Sequence, residues 1–226
     1  MGKRLSLTEF IALIAFLFSL IAIGTDMMLP ALNFIANDLD LQTNNQAQLI
    51  ITVFLLGTGL GQLISGPLSD TYGRKIVLCT GISLFILASI AAIITSNFFM
   101  LLTARFIQGL GISAPRAAGT AMVRDLYNGR KLARVISLAM MIFVLAPAIS
   151  PLIGQYLMIL FGWQSIFIAC AFAGLIAFVW LLIRQKETLI IENRNPFLIS
   201  NLIQGYKTVF TNKRVMISTL VQALVL

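Results

Sequence analysis

Six long apolar runs limit the fold of this chain more than any other feature of its sequence. A helix needs roughly 20 residues to cross a bilayer core of about 30 Å, and lipid offers no partner to an unpaired backbone amide. Each run is therefore predicted to form one transmembrane helix, and we call these helices the first to the sixth span. The runs occupy residues 10–32, 49–67, 76–95, 98–123, 135–161 and 166–183, and a seventh run at 215–226 is predicted to be the beginning of another span.

The composition excludes an ordinary soluble domain. Of the 226 residues, 59% are apolar and 11% are charged, whereas soluble domains have about 45–50% and about 25%. The chain has no histidine and only two cysteines, so we expect neither a metal site nor a disulfide framework. It also lacks the phosphate-binding loop and the nucleophile elbow, so we do not expect an enzyme.

The net charge of +8 is interpreted as a signal of membrane topology rather than of nucleic-acid binding. All basic residues except Arg105 are assigned to alternate connections, on one side of the membrane, and the other connections contain Asp38 and Asp40. By the positive-inside rule, the N-terminus is predicted to be cytoplasmic. The residues assigned to that side are Lys3, Arg4, Arg74, Lys75, Arg116, Arg124, Arg130, Lys131, Arg134, Arg184, Lys186, Arg194, Lys207, Lys213 and Arg214.

Two ionisable residues within the apolar runs form the first candidate site. Arg105 lies about 10 Å from the outer end of the fourth span, and Asp26 in the first span is predicted at a similar depth. Charges at such depth usually mark a substrate or ion path, so we expect the two side chains to face each other across a cavity. The alternative is an ion pair that only holds the helices together. Asp26 is the only carboxylate inside the six runs, and we hypothesise that its protonation is coupled to ligand release.

The second and fifth spans each carry small residues at every fourth position. Such a stripe allows two helices to approach closely. Pro147 and Pro151 lie within the second stripe, and each removes a backbone hydrogen bond. The fifth span is therefore interpreted either as a mechanical hinge or as a tightly packed helix. The stripes consist of Gly57, Gly61 and Ser65, and of Ala146, Ser150 and Gly154.

The connection between the second and third spans, Gly66-Pro-Leu-Ser-Asp-Thr-Tyr-Gly-Arg-Lys75, mixes acidic and basic residues between two predicted turn glycines. The next connection on the same side supplies Asp125. An orientation signal needs only Arg and Lys, so Asp70 and Asp125 call for another explanation. We predict a charge cluster at the cytoplasmic face that breaks and forms again as the bundle moves.

Residues 185–214 differ in character from the spans. Within them, residues 197–210 place apolar side chains at helical spacing beside polar ones, which predicts an amphipathic helix on the cytoplasmic surface. The predicted organisation is therefore a six-helix bundle at 1–184, a linker at 185–214 and the beginning of a seventh span at 215–226.

These residues resemble the major facilitator superfamily of transporters. Residues 66–75 resemble the signature between its second and third helices, and residues 101–109 resemble its helix-four signature with a buried arginine. Residues 146–154 are similar to the proline and glycine motif of the antiporter branch, with Ser150 in place of a glycine. Residues 24–32 are similar to the bicyclomycin-resistance (Bcr/CflA) subfamily of proton-coupled multidrug exporters.

The resemblance implies an all-helical membrane protein, in the cell inner membrane, that exports hydrophobic or amphipathic drugs by alternating access. Such a transporter has two six-helix halves, each with a 3+3 inverted repeat, so we expect a C-terminal half as a further partner of this chain. The proton gradient is the expected energy source, with no cofactor. The implied roles are coupling for Asp26 and Arg105, a cytoplasmic gate for Gly66, Asp70, Gly73, Arg74 and Asp125, and shaping of the fifth span for Pro147, Pro151 and Gly154.

Two alternatives remain open at the level of sequence. One is a transporter of the same fold that carries a polar metabolite. The other is a six-helix fragment or membrane scaffold without transport activity. The second differs from the first and from the exporter in giving no proton-coupled signal after reconstitution.

Overall fold

The computed structural model describes residues 5–41, 44–190, 192, 194, 211, 212 and 216. Contacts within the chain separate a unit at Met1–Arg194 from a unit at Asn195–Leu226. In the second unit, the backbone amide of Met216 donates to the carbonyl of Asn212 at 2.9 Å. The predicted surface helix at 197–210 lies outside the described residues, as does the predicted seventh span apart from Met216.

Six helices in the described residues are long and apolar enough to cross a membrane, and this confirms the predicted spans. The part of the chain that the structure describes contains no β-strand. The first span consists of an α-helix at Leu7–Asp26, a 3-10 turn at Leu29–Ala31 and an α-helix at Leu32–Asp38, followed by a short helix at Asn44–Ala47. The second to sixth spans are Leu49–Tyr72, Arg74–Ile93, Phe98–Leu126, Gly129–Phe161 and Gln164–Arg184.

The first span is not the continuous helix that its apolar run predicted. Its α-helix ends at Asp26, four residues before Pro30. A proline has no N–H, so Pro30 cannot donate to the carbonyl of Asp26 and the regular hydrogen-bond ladder cannot continue. The chain turns through Met27 and Met28 and then resumes a helical path to Asp38.

The predicted ten-residue connection at 66–75 is also wrong. The second span is helical to Tyr72, and Gly73 alone separates it from the third span. Gly66 is therefore not a turn residue, whereas Gly73 has a φ of +106°, which disfavours any residue with a Cβ. The helix continues past Pro67 with the hydroxyl of Thr71 donating to the carbonyl of Pro67 at 3.1 Å.

The fourth span lies between the second and third spans and packs more extensively against them than against any other helix. A Cβ on Gly57 would overlap the carbonyl of Phe106, and a Cβ on Gly109 would overlap the carbonyl of Phe54. The hydroxyl groups of Ser65 and Ser113 are 2.8 Å apart along the same contact. The small residues of the second span thus allow backbone-to-backbone packing with the fourth span, as their spacing predicted.

The fifth span packs mainly against the first and is otherwise widely exposed. It is one uninterrupted helix that includes Pro147 and Pro151. Gly154 marks its closest approach to the first span, because a Cβ there would overlap the carbonyl of Met27. The glycine of the predicted motif therefore serves tight packing beside Asp26, and a hinge at the prolines stays a prediction.

The bundle has two chemically different ends. We call the end with Arg74, Arg124, Arg130 and Arg184 the basic end, and the end with Asp38 and Asp40 the opposite end. At the opposite end, the indole N–H of Trp163 donates to the carboxylate of Asp38 at 2.8 Å. This bond joins the extension of the first span to the beginning of the sixth, 125 residues later in the chain.

Candidate functional site

Arg105 lies fully buried where four helices meet. Its Nη2 donates to the carbonyl of Gly24 in the first span at 2.9 Å, and its Nε donates to the carbonyl of Ile50 at the beginning of the second span at 3.3 Å. Its Nη1 donates to Oε1 of Gln108 at 2.6 Å, one turn further along the fourth span. All three acceptors are neutral oxygens, and two of them belong to the backbone.

Gln108 extends this network to the third span. Its amide nitrogen donates to Oγ of Ser89 at 2.7 Å, and the hydroxyl of Ser89 donates to the carbonyl of Phe85 at 2.7 Å. Arg105, Gln108 and Ser89 are each fully buried. The network therefore connects the first four spans through hydrogen bonds that water does not reach, and we call these three residues the arginine network.

Aromatic rings cover the guanidinium of Arg105. Its central carbon is 4.3 Å from the ring centroid of Phe54 and 5.8 Å from that of Phe167. Such contacts stabilise a cation most when it is removed from water. The ring of Phe54 also lies directly against Gly24, where an added Cβ would be 2.8 Å from it. Gly24 therefore has no room for a side chain next to the carbonyl that Arg105 binds.

Asp26 lies two residues beyond that carbonyl, at the point where the first span breaks. It is partly exposed. The alternative of a direct ion pair between Asp26 and Arg105 does not hold in this conformation, since no ion pair in the described ranges includes either residue. The physical reason is that Arg105 is already satisfied by neutral oxygens, one of them on Gly24. The two residues do belong to one region, and their role in coupling stays a prediction.

The predicted charge cluster is present at the basic end. Arg74 is 7% exposed, although it is the first residue of the third span. Its guanidinium contacts the carboxylates of Asp70 and Asp125, the latter at 3.1 Å, and donates to Oγ of Ser69 at 2.8 Å. These contacts connect the ends of the second, third and fourth spans.

Glu187 is a member of this cluster that the sequence analysis did not single out. Its carboxylate accepts hydrogen bonds from the backbone amides of Arg74 at 2.9 Å and Lys75 at 3.1 Å. These are free N–H groups at the beginning of a helix, which favour a negative charge. A Cβ on Gly73 would be 2.5 Å from the same carboxylate, so the glycine is needed for space as well as for its backbone angle.

The segment after the sixth span is thereby held against the bundle. The hydroxyl of Thr188 in this segment donates to the carboxylate of Asp125 at 3.0 Å. Just before the segment, in the last turn of the sixth span, the carbonyl of Leu182 accepts from Nζ of Lys75 at 2.9 Å. We call Asp70, Arg74, Asp125 and Glu187 the basic-end cluster. The beginning of the predicted linker thus takes part in the predicted gate.

A third ion pair at the basic end joins the first and sixth spans. Two guanidinium nitrogens of Arg184, Nε and Nη2, donate to the carboxylate of Glu9, at 2.7 and 2.6 Å. Glu9 belongs to the capping sequence of the first span, where its amide donates to Oγ of Ser6 at 3.2 Å. The pattern of Ser6 followed three residues later by Glu9 could have been recognised in the sequence as a helix cap. Nothing in the sequence indicated that Glu9 would pair with Arg184, 175 residues away.

One of the basic residues assigned to a connection lies elsewhere. Arg116 is inside the helix Phe98–Leu126, ten residues before its end, and not at the connection to which it was assigned. The apolar run of the fourth span already included this position, so its depth could have been read from the sequence. The two ends of the bundle still differ in charge, because the other basic residues remain at the basic end.

The described residues offer no evident place for a metal, since they contain no group of three or more potential ligands. A groove of about 190 Å³ lies between the second, third and fourth spans. Its lining includes Gly61, Ser65, Gly81 and Gly111 and contains no titratable side chain. The groove is therefore not a candidate for proton binding.

Residues 14–226 match the family described as the Major Facilitator Superfamily. The chain belongs to this superfamily. It is 32% identical to a bicyclomycin resistance protein homolog of Haemophilus influenzae over 96% of this chain, and 32% identical to the chloramphenicol resistance protein CraA of Acinetobacter baumannii over 99% of it. It is 36% identical to the uncharacterized MFS-type transporter YdgK of Bacillus subtilis over 84% of its length. These relatives confirm the resemblance to drug-resistance transporters of the superfamily.

The chain spans about half the length of the relatives it matches, with shares of 49%, 54% and 53%. Solved members of the superfamily show the same fold at low identity. A crystallised peptide transporter has a TM-score of 0.71 over 97% of this chain and 46% of its own, at 16% identity. The human organic anion transporter MFSD10 has a TM-score of 0.65 over 86% of this chain and 51% of its own, at 15% identity.

Proposed function

We propose that this chain forms the N-terminal half of a proton-coupled exporter of hydrophobic or amphipathic drugs that works by alternating access. The names of its relatives as bicyclomycin and chloramphenicol resistance proteins support drug export. The observation that carries proton coupling is the position of Asp26. It is a partly exposed carboxylate at a break in an apolar span. Broken helices in transporters commonly form ligand and ion sites.

In this proposal Asp26 and Arg105 have different roles. Asp26 binds and releases the proton, because it is accessible and its carboxylate takes part in no ion pair within the described ranges. Arg105 is a positioning residue. Its bond to the carbonyl of Gly24 holds the last turn of the helix that presents Asp26. Loss of Arg105 would therefore affect coupling indirectly, through the position of the break.

The basic-end cluster is proposed to be the cytoplasmic gate. Its ion pairs join the ends of three spans and keep them together while the transporter is open to the outside. Opening toward the cytoplasm requires the second and fourth spans to move relative to Arg74, which would break these contacts. The cytoplasmic position of the N-terminus follows from the basic residues of this end.

Asp26→Asn tests proton coupling, with Asp40→Asn as the control. Both substitutions remove one carboxylate, but Asp40 is exposed at the opposite end. The complete reading frame that encodes this chain is expressed, and everted membrane vesicles are energised in the presence of a proton-sensitive dye. Addition of ethidium should release protons in the wild type and in Asp40→Asn, and should release none in Asp26→Asn.

The same assay distinguishes the other functions. Proton release on addition of a polar metabolite, with none on addition of ethidium or chloramphenicol, would favour a metabolite transporter. No release with any compound would favour a fragment or scaffold without transport activity. An Asp26→Asn variant that keeps ethidium-driven proton release with an unchanged pH dependence would exclude Asp26 as the proton site.

A further inference from the structure

Arg116 is a second arginine in the interior of the fourth span. The midpoint of the helix Phe98–Leu126 is Ile112, so Arg116 lies about 6 Å from it toward the basic end and Arg105 about 10 Å from it toward the opposite end. The two arginines are eleven residues apart, which is close to three full helical turns. They therefore lie on the same face of the helix, one near the middle and one nearer the opposite end.

The surroundings of Arg116 differ from those of the other buried cations. Its guanidinium is 5.9 Å from the ring centroid of Phe143 in the fifth span, and its side chain is only half-buried. No ion pair and no side-chain hydrogen bond to Arg116 occurs in the part of the chain that the structure describes. Arg105 and Arg74, by contrast, each have three hydrogen-bonding or ionic partners.

A guanidinium at this depth is unfavourable unless it faces a partner or a water-filled space. A single aromatic ring at almost 6 Å does not replace the lost hydration, because cation–π attraction is modest at that distance. The side chain is not part of the arginine network, because Arg116 lies about 16 Å from Arg105 along the helix. Arg116 therefore needs an anion that the described residues do not supply.

We propose that Arg116 binds the acidic group of an amphipathic organic anion within the bundle. This inference rests on the proposed function and specifies one class of its substrates. The planar guanidinium binds a carboxylate through two parallel hydrogen bonds, and half-exposure leaves it open to a ligand. The ring of Phe143 provides an apolar surface next to the charge, which suits a molecule with an acidic group on an aromatic body.

The phosphate of a phospholipid offers similar chemistry and is the other possible source of the anion. Arg116 is about 15 Å from the basic-end terminus of its helix, which is further than an arginine side chain reaches. A lipid headgroup would therefore have to enter the bundle to meet it. A soluble organic acid that reaches the exposed part of the Arg116 side chain has no such restriction, and we assign the site to it.

The test measures binding of 1-naphthoate and of uncharged 1-naphthamide by calorimetry. The protein is purified in maltoside detergent from the complete reading frame. The variants are Arg116→Gln, Arg116→Lys and, as the control, Arg130→Gln, which removes an exposed arginine at the basic end. Naphthoate should bind the wild type and the control equally and Arg116→Gln about tenfold more weakly, with Arg116→Lys between the two because an ammonium group keeps the charge but not the paired hydrogen bonds. Naphthamide binding should be the same in all four, which also shows that each variant is folded.

Three results would overturn the inference. These are equal affinity of the wild type for naphthoate and naphthamide, unchanged naphthoate binding by Arg116→Gln, and displacement of naphthoate by an equal concentration of phosphatidylglycerol. The last result would assign the site to lipid phosphate. Failure here is separable from failure of the proposed function, because ethidium carries no acidic group. Arg116→Gln should still release protons on addition of ethidium in the vesicle assay.

Discussion

Arg105 and Arg74 are both removed from water, but their charges are stabilised in opposite ways. Arg105 is fully buried and donates only to neutral oxygens of Gly24, Ile50 and Gln108. Arg74 is at a helix end and contacts two carboxylates. A third carboxylate, that of Glu187, binds its backbone amide.

This difference predicts that the contacts of the arginine network persist, whereas those of the basic-end cluster can break and form again. Water and ions do not reach the neutral acceptors within the bundle, so we expect the arginine network to hold the same helices together as the protein moves. The carboxylates of the basic-end cluster are close to solvent and can exchange partners as the helix ends move. The opposite end of the bundle is thus expected to move as one body while the basic end opens and closes.

The largest loss of stability is expected from removal of Arg105. Arg105→Leu removes three buried hydrogen bonds, each worth about 1 kcal/mol, or about 3 kcal/mol in total. Arg105→Lys should restore little of this, because an ammonium group cannot reach three separated acceptors in the geometry of a guanidinium. Thermal unfolding followed by size-exclusion chromatography in detergent measures both variants. Wild-type stability of Arg105→Leu would show that the network is dispensable.

A smaller loss of stability is expected from a substitution at the contact between the second and fourth spans. Gly57→Ala places a methyl group onto the carbonyl of Phe106, and overpacking of this kind typically costs about 1–3 kcal/mol. Gly59→Ala is the matched control, since nothing lies within 4 Å of a Cβ at that position of the same helix. The control should match or slightly exceed the wild type in thermal stability, because alanine favours helix more than glycine does. Equal stability of the two variants would mean that the second and fourth spans adjust easily.

Loss of one carboxylate charge from the basic-end cluster should lower the stability of the protein by about 1 kcal/mol. Glu187→Gln weakens the bonds to the amides of Arg74 and Lys75 at the beginning of the third span. Glu192→Gln is the control, because Glu192 is exposed. Hydrogen exchange at the amides of Arg74 and Lys75 should become faster in Glu187→Gln only. The wild-type rate at these amides should rise with salt concentration, whereas amides around Arg105 should not respond.

The smallest effect is expected for the pair between Glu9 and Arg184. Both residues are at the surface, where an ion pair contributes little and is screened by salt. Arg184→Gln should shift the unfolding midpoint by no more than about one degree. A shift as large as that of Arg105→Leu would show that the basic end is as rigid as the arginine network, and the contrast between the two regions would not hold.

The six spans could be predicted from the sequence because their apolar length is a local property of the chain. The same holds for the small-residue contact of the second span and for the pairing of Asp70 with Arg74, which are only four residues apart in the chain, on either side of Gly73. The break after Asp26 was also within reach, since Pro30 lacks the N–H that the carbonyl of Asp26 would need. Arg116 was assigned to a connection although its position within an apolar run contradicted that assignment.

Contacts between distant parts of the chain were not accessible in this way. Glu187 looks like an ordinary polar residue after a span, and only the return of the chain beside Gly73 brings it to a helix end 113 residues earlier. The partners of Arg105 were missed for a related reason. A charged residue suggests a charged partner, but backbone carbonyls are present at every position and leave no mark in a sequence.

The bond between Trp163 and Asp38 has a practical consequence. The protein has two tryptophans, and Trp163 is 5% exposed at the opposite end, with its ring 6.1 Å from that of Phe167. Trp180 lies further along the same helix, 6.3 Å from the ring of Phe16. Indole emission depends on the polarity and charge around the ring, so a Trp180→Phe variant reports on one end and a Trp163→Phe variant on the other. Each surface of the bundle thus contains its own intrinsic fluorophore, and its movements can be followed without an attached label.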